Sequence, residues 1–398
     1  MTKVRAVYKF EAQPNSGELS ISVDEVLTVI KESGMEGYIL STTRMNTTSD
    51  EKHEIIVNSG PCWEPIAQPY YCVVDKPKKE SKLKGLKSFI AYSVTSSLSG
   101  IQVFVSRRYK HFDWLHEQLS NKYILTSIPP LPEKQVAGRY EEELIEHRKN
   151  ILQLWVDKIC RHPVLSKSDV WIHFLTCTDE KSWKSGKRKA EKDEYVGGNF
   201  LNCVTVPAEP LDVADVQVET FSRCVRSLED SVRVMYDRVK DLHIRLAGSY
   251  KTGWQKLAAG FAGLANSFEL DRTDYITSAL KECAKVYRHI ADQHEESSKK
   301  DVDPLMDCLY TYRGLLVNMP EIISIHKVFS IISEHEMEKV RRKVDTVNYA
   351  VLAEIHFQHQ ERGQDFKKMM SVFLEKQAAF YQDISRQLSE LSVKFQNS

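Results

Sequence analysis

RRYKHFDWL, residues 107–115, puts Arg107, Arg108, Tyr109 and Lys110 directly ahead of Phe112, Trp114 and Leu115. Cations and a phenol at the start of an apolar helix suit the holding of an anion. Arginine presents a planar fork that matches phosphate oxygens. A helix start adds free N–H groups and the positive end of the dipole. A tyrosine between cations offers a face for a ring-shaped ligand. A solvated strand end uses the same residues, and the stretch alone leaves both readings open. A second basic run, Lys187, Arg188 and Lys189, lies between Trp183 and the apolar Tyr195, Val196, Phe200 and Leu201. A basic helix with bulky apolar residues can lie in a membrane interface; a solvated linker or a nuclear-import signal is the alternative.

Charge along the chain is uneven. The 398 residues carry 55 basic and 55 acidic side chains. Residues 68–200 hold 23 Lys+Arg against 16 Asp+Glu, an excess of 7 that suits an anionic partner. No run of 18 apolar residues occurs, so no segment reads as a membrane span. MTKVRAVYKF has no apolar core of a secretory signal, and the eight cysteines include no C-x-x-C pair; together they read as reduced cytosolic thiols. The nucleotide motifs G-x-x-x-x-G-K-[ST] and G-x-G-x-x-G are absent, as is H-E-x-x-H. His356 and His359 are three apart, but no Glu-x-x-His occurs, which excludes a di-iron bundle. Cys160 and His162 flank a helix end without the geometry of a nucleophile. The sequence therefore predicts no enzyme, no cofactor and no metal. Nucleic acid would suit the basic patch, but other readings explain the same residues.

The elements that position these residues fall into two halves. VRAVYKF and EVLTVI read as strands, with PNSGE as a turn. STTRMNTTSDEKHE, 41–54, reads as a loop or disordered linker. YYCVVD, LKSFIAYSV and IQVFVS are three further β segments; FDWLHEQLSNKY is a short helix, IPPLPEK a polyproline-like loop, and EEELIEHRKNILQLWVDKIC a helix that stops at the next proline. Beyond residue 208 apolar residues step by 4 and 3. Phe221, Val225, Leu228, Val232, Met235, Val239, Leu242 and Leu246 form one stripe; Ile276 to Ile290 and Phe366 to Ile384 form two more. Three long helices in a curved coiled-coil bundle follow, with Pro304 and Pro320 as expected kinks.

The order of three strands, RRYKHF, a proline loop, and a helix bearing an arginine resembles the phox-homology (PX) domain, a phosphoinositide-binding module. The resemblance implies roles. Arg108 would hold the ring phosphate that marks the lipid, Tyr109 would pack under the inositol ring, and Lys110 would lie beside it. Lys134 would meet the phosphate joining ring to glycerol, and Arg148 would reach the far hydroxyls or phosphates. WKSGKRKAEKDE, RHPVLSKSDVW, KKDVDPLMDCLYTYRGLL and YAVLAEIHFQH are similar to the sorting nexins that carry a Src-homology-3, a PX and a BAR domain. That implies a degenerate Src-homology-3-like region over 1–60, a PX domain over 68–178, a basic yoke over 179–207 and a dimeric, all-α BAR domain over 208–398. Lys187, Arg188 and Lys189 would touch the membrane.

At the N-terminus, Tyr8, Phe10, Glu11, Glu18 and Leu19 sit at the positions of that family's ligand groove and acidic loop. Tyr38 replaces the expected tryptophan and the closing Pro-x-x-Tyr is missing, so the groove for dynamin-like or actin-regulatory proteins is incomplete. PPLP, 129–132, is a Src-homology-3 ligand pattern, although a structural role for the loop is simpler. HKVFSIISEHEMEKVRRK reads as a shortened tip between the last two helices, keeping Arg341, Arg342 and Lys343. The family implies a cytoplasmic protein, peripheral on plasma membrane, endocytic vesicles or endosomes. The competing expectation is a coiled-coil scaffold with weak or lost lipid binding.

Overall fold

The computed structural model describes residues 3–5, 26–33, 37–42, 51–82, 87–98, 100–134, 140–211, 214–333 and 338–396. Strands β1 (Lys3–Arg5), β2 (Val26–Ser33) and β3 (Gly37–Thr42) form an antiparallel sheet in that order. The expected groove residues Tyr8, Phe10, Glu11, Glu18 and Leu19 lie outside the described residues.

The reading of 41–54 as a linker is corrected at both ends. Residues 41 and 42 belong to β3. His53–Val57 is strand β4, paired antiparallel with β5 (Pro61–Trp63) and parallel with the short strand Val204–Thr205. The polar residues that suggested solvent are buried partners. The Glu51 carboxylate accepts from Lys122 Nζ at 2.6 Å, from His53 Nε2 at 2.9 Å, and from the Tyr123 hydroxyl. Lys122 also meets Asp193 at 2.8 Å, so the segment before the meander is tied to the one after it. Burial works to raise the Glu51 carboxyl, but His53 and Lys122 hold it below its ordinary value. A boundary at residue 60 would cut this hairpin.

β6 (Cys72–Lys82), β7 (Lys87–Leu98) and β8 (Ile101–Arg108) make an antiparallel meander. A bulge between Asp75 and Lys78 accommodates Pro77, and Gly100 turns β7 into β8 at φ 78°. Helices α1 (Tyr109–Lys122), α2 (Glu142–Arg161) and α3 (Asp169–Thr176) cover it. Phe112, Leu115 and Leu119 meet Leu152, Trp155 and Ile159, with Trp171 and Phe174 closing the core. Trp155 Nε1 donates to Pro129 O at 2.9 Å and Trp171 Nε1 to the Tyr70 hydroxyl at 2.7 Å, so neither buried indole is left unpaired.

α4 (Glu180–Ala190) starts on Asp179, whose carboxylate accepts the Ser182 N–H at 2.7 Å. Beyond it run three long helices, as the heptads predict. α5 (Ala214–Arg245) passes through a π-turn at Leu246–Tyr250 into α6 (Lys251–Leu270). α7 (Asp274–Ser297) passes through a second, Ser298–Val302, into α8 (Asp303–Ser333), and α9 (Glu338–Gln396) returns. The second π-turn has a cause. Pro304 has no N–H to give Lys300 O, and Lys376 Nζ from α9 donates to that carbonyl at 2.6 Å instead. Val225, Val232, Val239 and Leu246 of the predicted stripe are buried with Val218, whereas Met235 is 42% exposed.

The proline loop joins the halves. Asn318 Nδ2 donates to Ile128 O at 3.0 Å and the Tyr310 hydroxyl to Leu131 O at 2.8 Å, both from α8. Ser127 Oγ donates to Leu315 O at 2.9 Å. Gly314 leaves room for Pro130, since a Cβ there would stand 2.3 Å from the proline Cγ. Below the loop, Lys158 and Arg161 of α2 reach Glu361 and Asp365 of α9, Lys158 at 2.6 Å from Asp365.

Candidate functional site

Strand alternation sorts the two arginines. Val103, Val105 and Arg107 point inward from β8, so Arg107 is only 6% exposed. Its Nε donates to Phe174 O at 2.9 Å and its Nη2 to Cys177 O at 2.6 Å, capping the last carbonyls of α3. Its guanidinium lies 4.3 Å from the Trp183 ring of α4. Burial pulls its pKa down to about 10. Arg107 is therefore a structural cation, neither a solvated strand end nor an anion ligand.

Arg108, the next residue, turns to the other face. It ends β8, lies 5.4 Å over the Phe89 ring of β7, and donates Nε to His111 Nε2 at 3.2 Å. Tyr109 opens α1. Its hydroxyl donates to Pro132 O at 2.6 Å, which fixes the proline loop against the helix. The Arg148 guanidinium of α2 lies 4.7 Å over the Tyr109 ring, and its Nη2 donates to Glu133 O at 3.3 Å. Burial pushes the Tyr109 phenol up to about 12, so it stays a hydrogen-bond donor at any ordinary pH. Lys134, one residue beyond Glu133, pairs with Asp113 of α1 at 3.0 Å and is largely exposed. Lys110 is exposed. Helix start and α2 thus bring Arg148 onto the Tyr109 ring, while Lys134 pairs with Asp113 of α1 and Arg108 with Phe89 and His111.

The second basic run divides as well. Lys187 lies 4.7 Å over the Trp114 ring and 4.0 Å from Glu191, while Arg188 and Lys189 are exposed. The apolar face expected to enter a membrane is mostly core. Trp183 stacks on His173 at 5.4 Å, and Phe200 and Leu201 are buried beneath the hairpin; Tyr195 and Val196 remain exposed. Those side chains read as amphipathic in sequence because their partners, β8, α3 and β4, are far away along the chain. Gly186 lets α4 lie close, because a Cβ there would be 2.1 Å from His173 Nε2.

His162 also has a definite role. Its Nδ1 accepts the N–H groups of Val164 and Leu165 at 3.1 and 3.2 Å, so Nε2 carries the proton and donates to Glu354 of α9 at 3.0 Å. Sequence reasoning missed this pair because its members are 192 positions apart. Cys160 is buried and its thiol pKa is raised by burial, which makes it a core residue. Among the described residues no group of three or more His, Cys, Asp and Glu side chains could hold a metal ion, and no helix is long and apolar enough to cross a membrane.

A strand meander with a basic, tyrosine-floored site, docked on three long helices, defines a PX–BAR protein. Residues 98–178 match the PX domain family, and residues 179–396 match the family described as the WASP-binding domain of sorting nexin protein. Sorting nexin lst-4 of Caenorhabditis elegans is 50% identical over 394 residues, covering 96% of this chain and 69% of the relative. Sorting nexin-33 of Homo sapiens is 37% identical, covering 92% and 67%, and sorting nexin-18 of Mus musculus is 38% identical, covering 84% and 58%. The chain thus spans roughly 58–69% of the length of these relatives. The cryo-EM structure of the SNX-BAR Mvp1 tetramer shares the fold, with a TM-score of 0.57 at 16% identity over 79% of this chain and 99% of that one. The chain belongs to the sorting nexin family, with a PX and a BAR domain. Neither family match reaches the N-terminal sheet.

Proposed function

We propose that this protein is a non-catalytic, peripheral membrane protein that binds phosphoinositides through Arg108, Tyr109, Lys110, Lys134 and Arg148. The observation that carries the reading is the Tyr109 ring, held by Pro132 O below and faced by the Arg148 guanidinium 4.7 Å away. An inositol ring would take the place of that guanidinium on the tyrosine, and Arg148 would move from ring face to ring phosphate. Lys134 would exchange Asp113 for the phosphate that links ring to glycerol. Arg188 and Lys189, exposed at the end of α4, would add attraction to an anionic leaflet.

The helical half would pair two copies. Tyr250, Leu257 and Leu264 are exposed seven residues apart, and so are Leu374, Tyr381, Leu388 and Phe395. Such stripes suit a second set of helices, and two pockets on one dimer turn weak lipid contacts into avid attachment. The role that follows is sensing or remodelling membranes in endocytic and endosomal traffic. The family description of 179–396 adds a WASP-type actin regulator as a partner for the helical half. On this reading an actin-regulatory contact would fall on the helical half.

Sedimentation with vesicles tests this at one ionic strength. Neutral vesicles, phosphatidylserine vesicles and vesicles carrying each phosphoinositide are compared for wild type and Arg108→Ala. Selective pelleting with one or a few inositides, lost in the variant, is expected. Equal pelleting on every anionic vesicle by both proteins would overturn the pocket in favour of a scaffold.

A further inference from the structure

The second π-turn and the start of α8 carry three charged side chains at four-residue steps. Lys299 pairs with Glu143 of α2 at 2.8 Å, Asp303 with His243 of α5 at 3.0 Å, and Asp307 with His147 of α2 at 3.3 Å. Glu143 and His147 are themselves one helical turn apart, so the first turns of α2 rest on a ladder of charged contacts. The Glu143–Lys299 rung is exposed and holds little by itself. The other two rungs each pair an aspartate with a histidine, and Asp307 is only 4% exposed.

The proton content of these rungs changes near neutrality. Burial, with Asp303 nearby, pushes the Asp307 carboxyl up to about 7. The hydrogen bond to Asp303 raises His243. Both groups hold a proton more tightly in the fold than in the unfolded chain. Their contribution is therefore complete at low pH and is lost as pH rises, through about 7 for Asp307 and through the raised value for His243. Burial lowers His147, whose change has the opposite sign and falls below that range. The other charges facing the ladder are Lys240 of α5, Lys299, and Arg148 of α2, against Glu133, Glu143 and Glu295, three of each sign. Burial lifts the phenols of Tyr236 and Tyr310 further above their ordinary value. Asp307 and His243 thus set the local balance. With both protonated, each rung is neutral as a pair. With both protons gone, two carboxylates one turn apart stand unmatched, and Glu133 and Glu143 on the PX side add to the repulsion.

The far end of α2 is held differently. Lys158 lies 2.6 Å from Asp365 of α9 and Arg161 3.2 Å from it. Burial works against ionised Asp365, yet these two cations keep its carboxyl below the ordinary value. We propose that Asp303 and Asp307 form a proton-operated latch at the seam, closed while the two rungs hold their protons and released as pH rises, so that the N-terminal turns of α2 lift from α8 while its far end stays on α9. The latch goes beyond the inositide reading and stands without it, because no part of it needs a ligand.

Hydrogen exchange of the full chain tests the latch. Exchange is followed from about pH 6.5 to about pH 8.5, with each rate divided by that of the unfolded amide at the same pH. Protection over residues 145–150 should fall about tenfold across this range, as a proton held near 7 is lost. Protection over residues 155–160 should hold. Asp307→Asn, which removes the titrating carboxyl and keeps its shape, should flatten the profile over 145–150. A variant as pH-dependent as wild type would overturn the latch, and so would equal losses at both ends of α2. Should Asp307→Asn fail to fold, wild type decides alone: protection over 145–150 that does not change with pH overturns the proposal, and a loss confined to that end supports it.

Discussion

Arg107 and Arg108 are neighbours in sequence and opposites in consequence. The first is buried, with its donors spent on Phe174 O, Cys177 O and Ser106 O. The second is half-buried at the mouth of the site. Arg107→Ala leaves two buried carbonyls without their donor and a gap against Trp183, which should cost about 2–4 kcal/mol of stability. Arg108→Ala should cost roughly 0.5 kcal/mol or less while removing inositide selectivity. Thermal melts beside vesicle binding check the pair. Two variants with equal melting temperatures would sink this division of labour. The division was legible in part. IQVFVSRR alternates, and a period of two puts position 107 with Val103 and Val105 on the core side. The motif drew attention to the charges and away from the alternation. Which carbonyls receive Arg107 was not legible, because α3 begins sixty residues later.

At the scale of elements, the proline loop is the hinge of the design. Its composition announces an extended segment, since proline fixes φ and donates nothing. It does not announce what satisfies the free carbonyls of Ile128, Pro129, Leu131 and Pro132. Those partners come from α8, α2 and α1, one of them 190 positions away. The start of β4 reads as linker for the same reason, as Glu51 and His53 look like solvent residues until Lys122 and Asp193 arrive. At Gly314 the Pro130 ring lies where a Cβ would stand. Gly314→Ala would press a methyl into the Pro130 ring, which cannot rotate away, and should cost about 1–3 kcal/mol. Gly363→Ala, in open space on α9, should instead stabilise by roughly 0.5–1 kcal/mol through helix propensity alone. Melting temperatures shifting in opposite directions are the expected result, with faster hydrogen exchange at the Ser127, Ile128 and Leu131 amides only in the first variant. A Gly314→Ala protein as stable as wild type would show that the loop does not bear on α8.

At the scale of the whole molecule, the PX domain is fixed to the helices rather than tethered. Glu354, 1% exposed on α9, accepts from His162 Nε2, from Gln358 Nε2 at 2.8 Å and from the Ser127 N–H at 3.4 Å. A buried carboxylate with three donors tolerates no sliding. The proposed lipid site is therefore held at a set angle to the BAR helices. The heptads made the three helices legible, because period and length survive without any knowledge of partners. They did not say which stripes close within one chain. Val218, Val225, Val232 and Val239 do. The stripes through Leu264 and Leu388 do not, and on the proposed reading they pair with a second copy. Leu264→Glu with Leu388→Glu should leave the fold and soluble-headgroup binding intact while giving a monomer in sedimentation velocity. Vesicle affinity should then fall on the order of a hundredfold, the avidity of two joined pockets. A double variant that still sediments as a dimer would mean that the second copy packs elsewhere. One that turns monomeric yet holds vesicles as tightly as wild type would mean that a single PX pocket and the basic end of α4 carry the attachment without help from the partner.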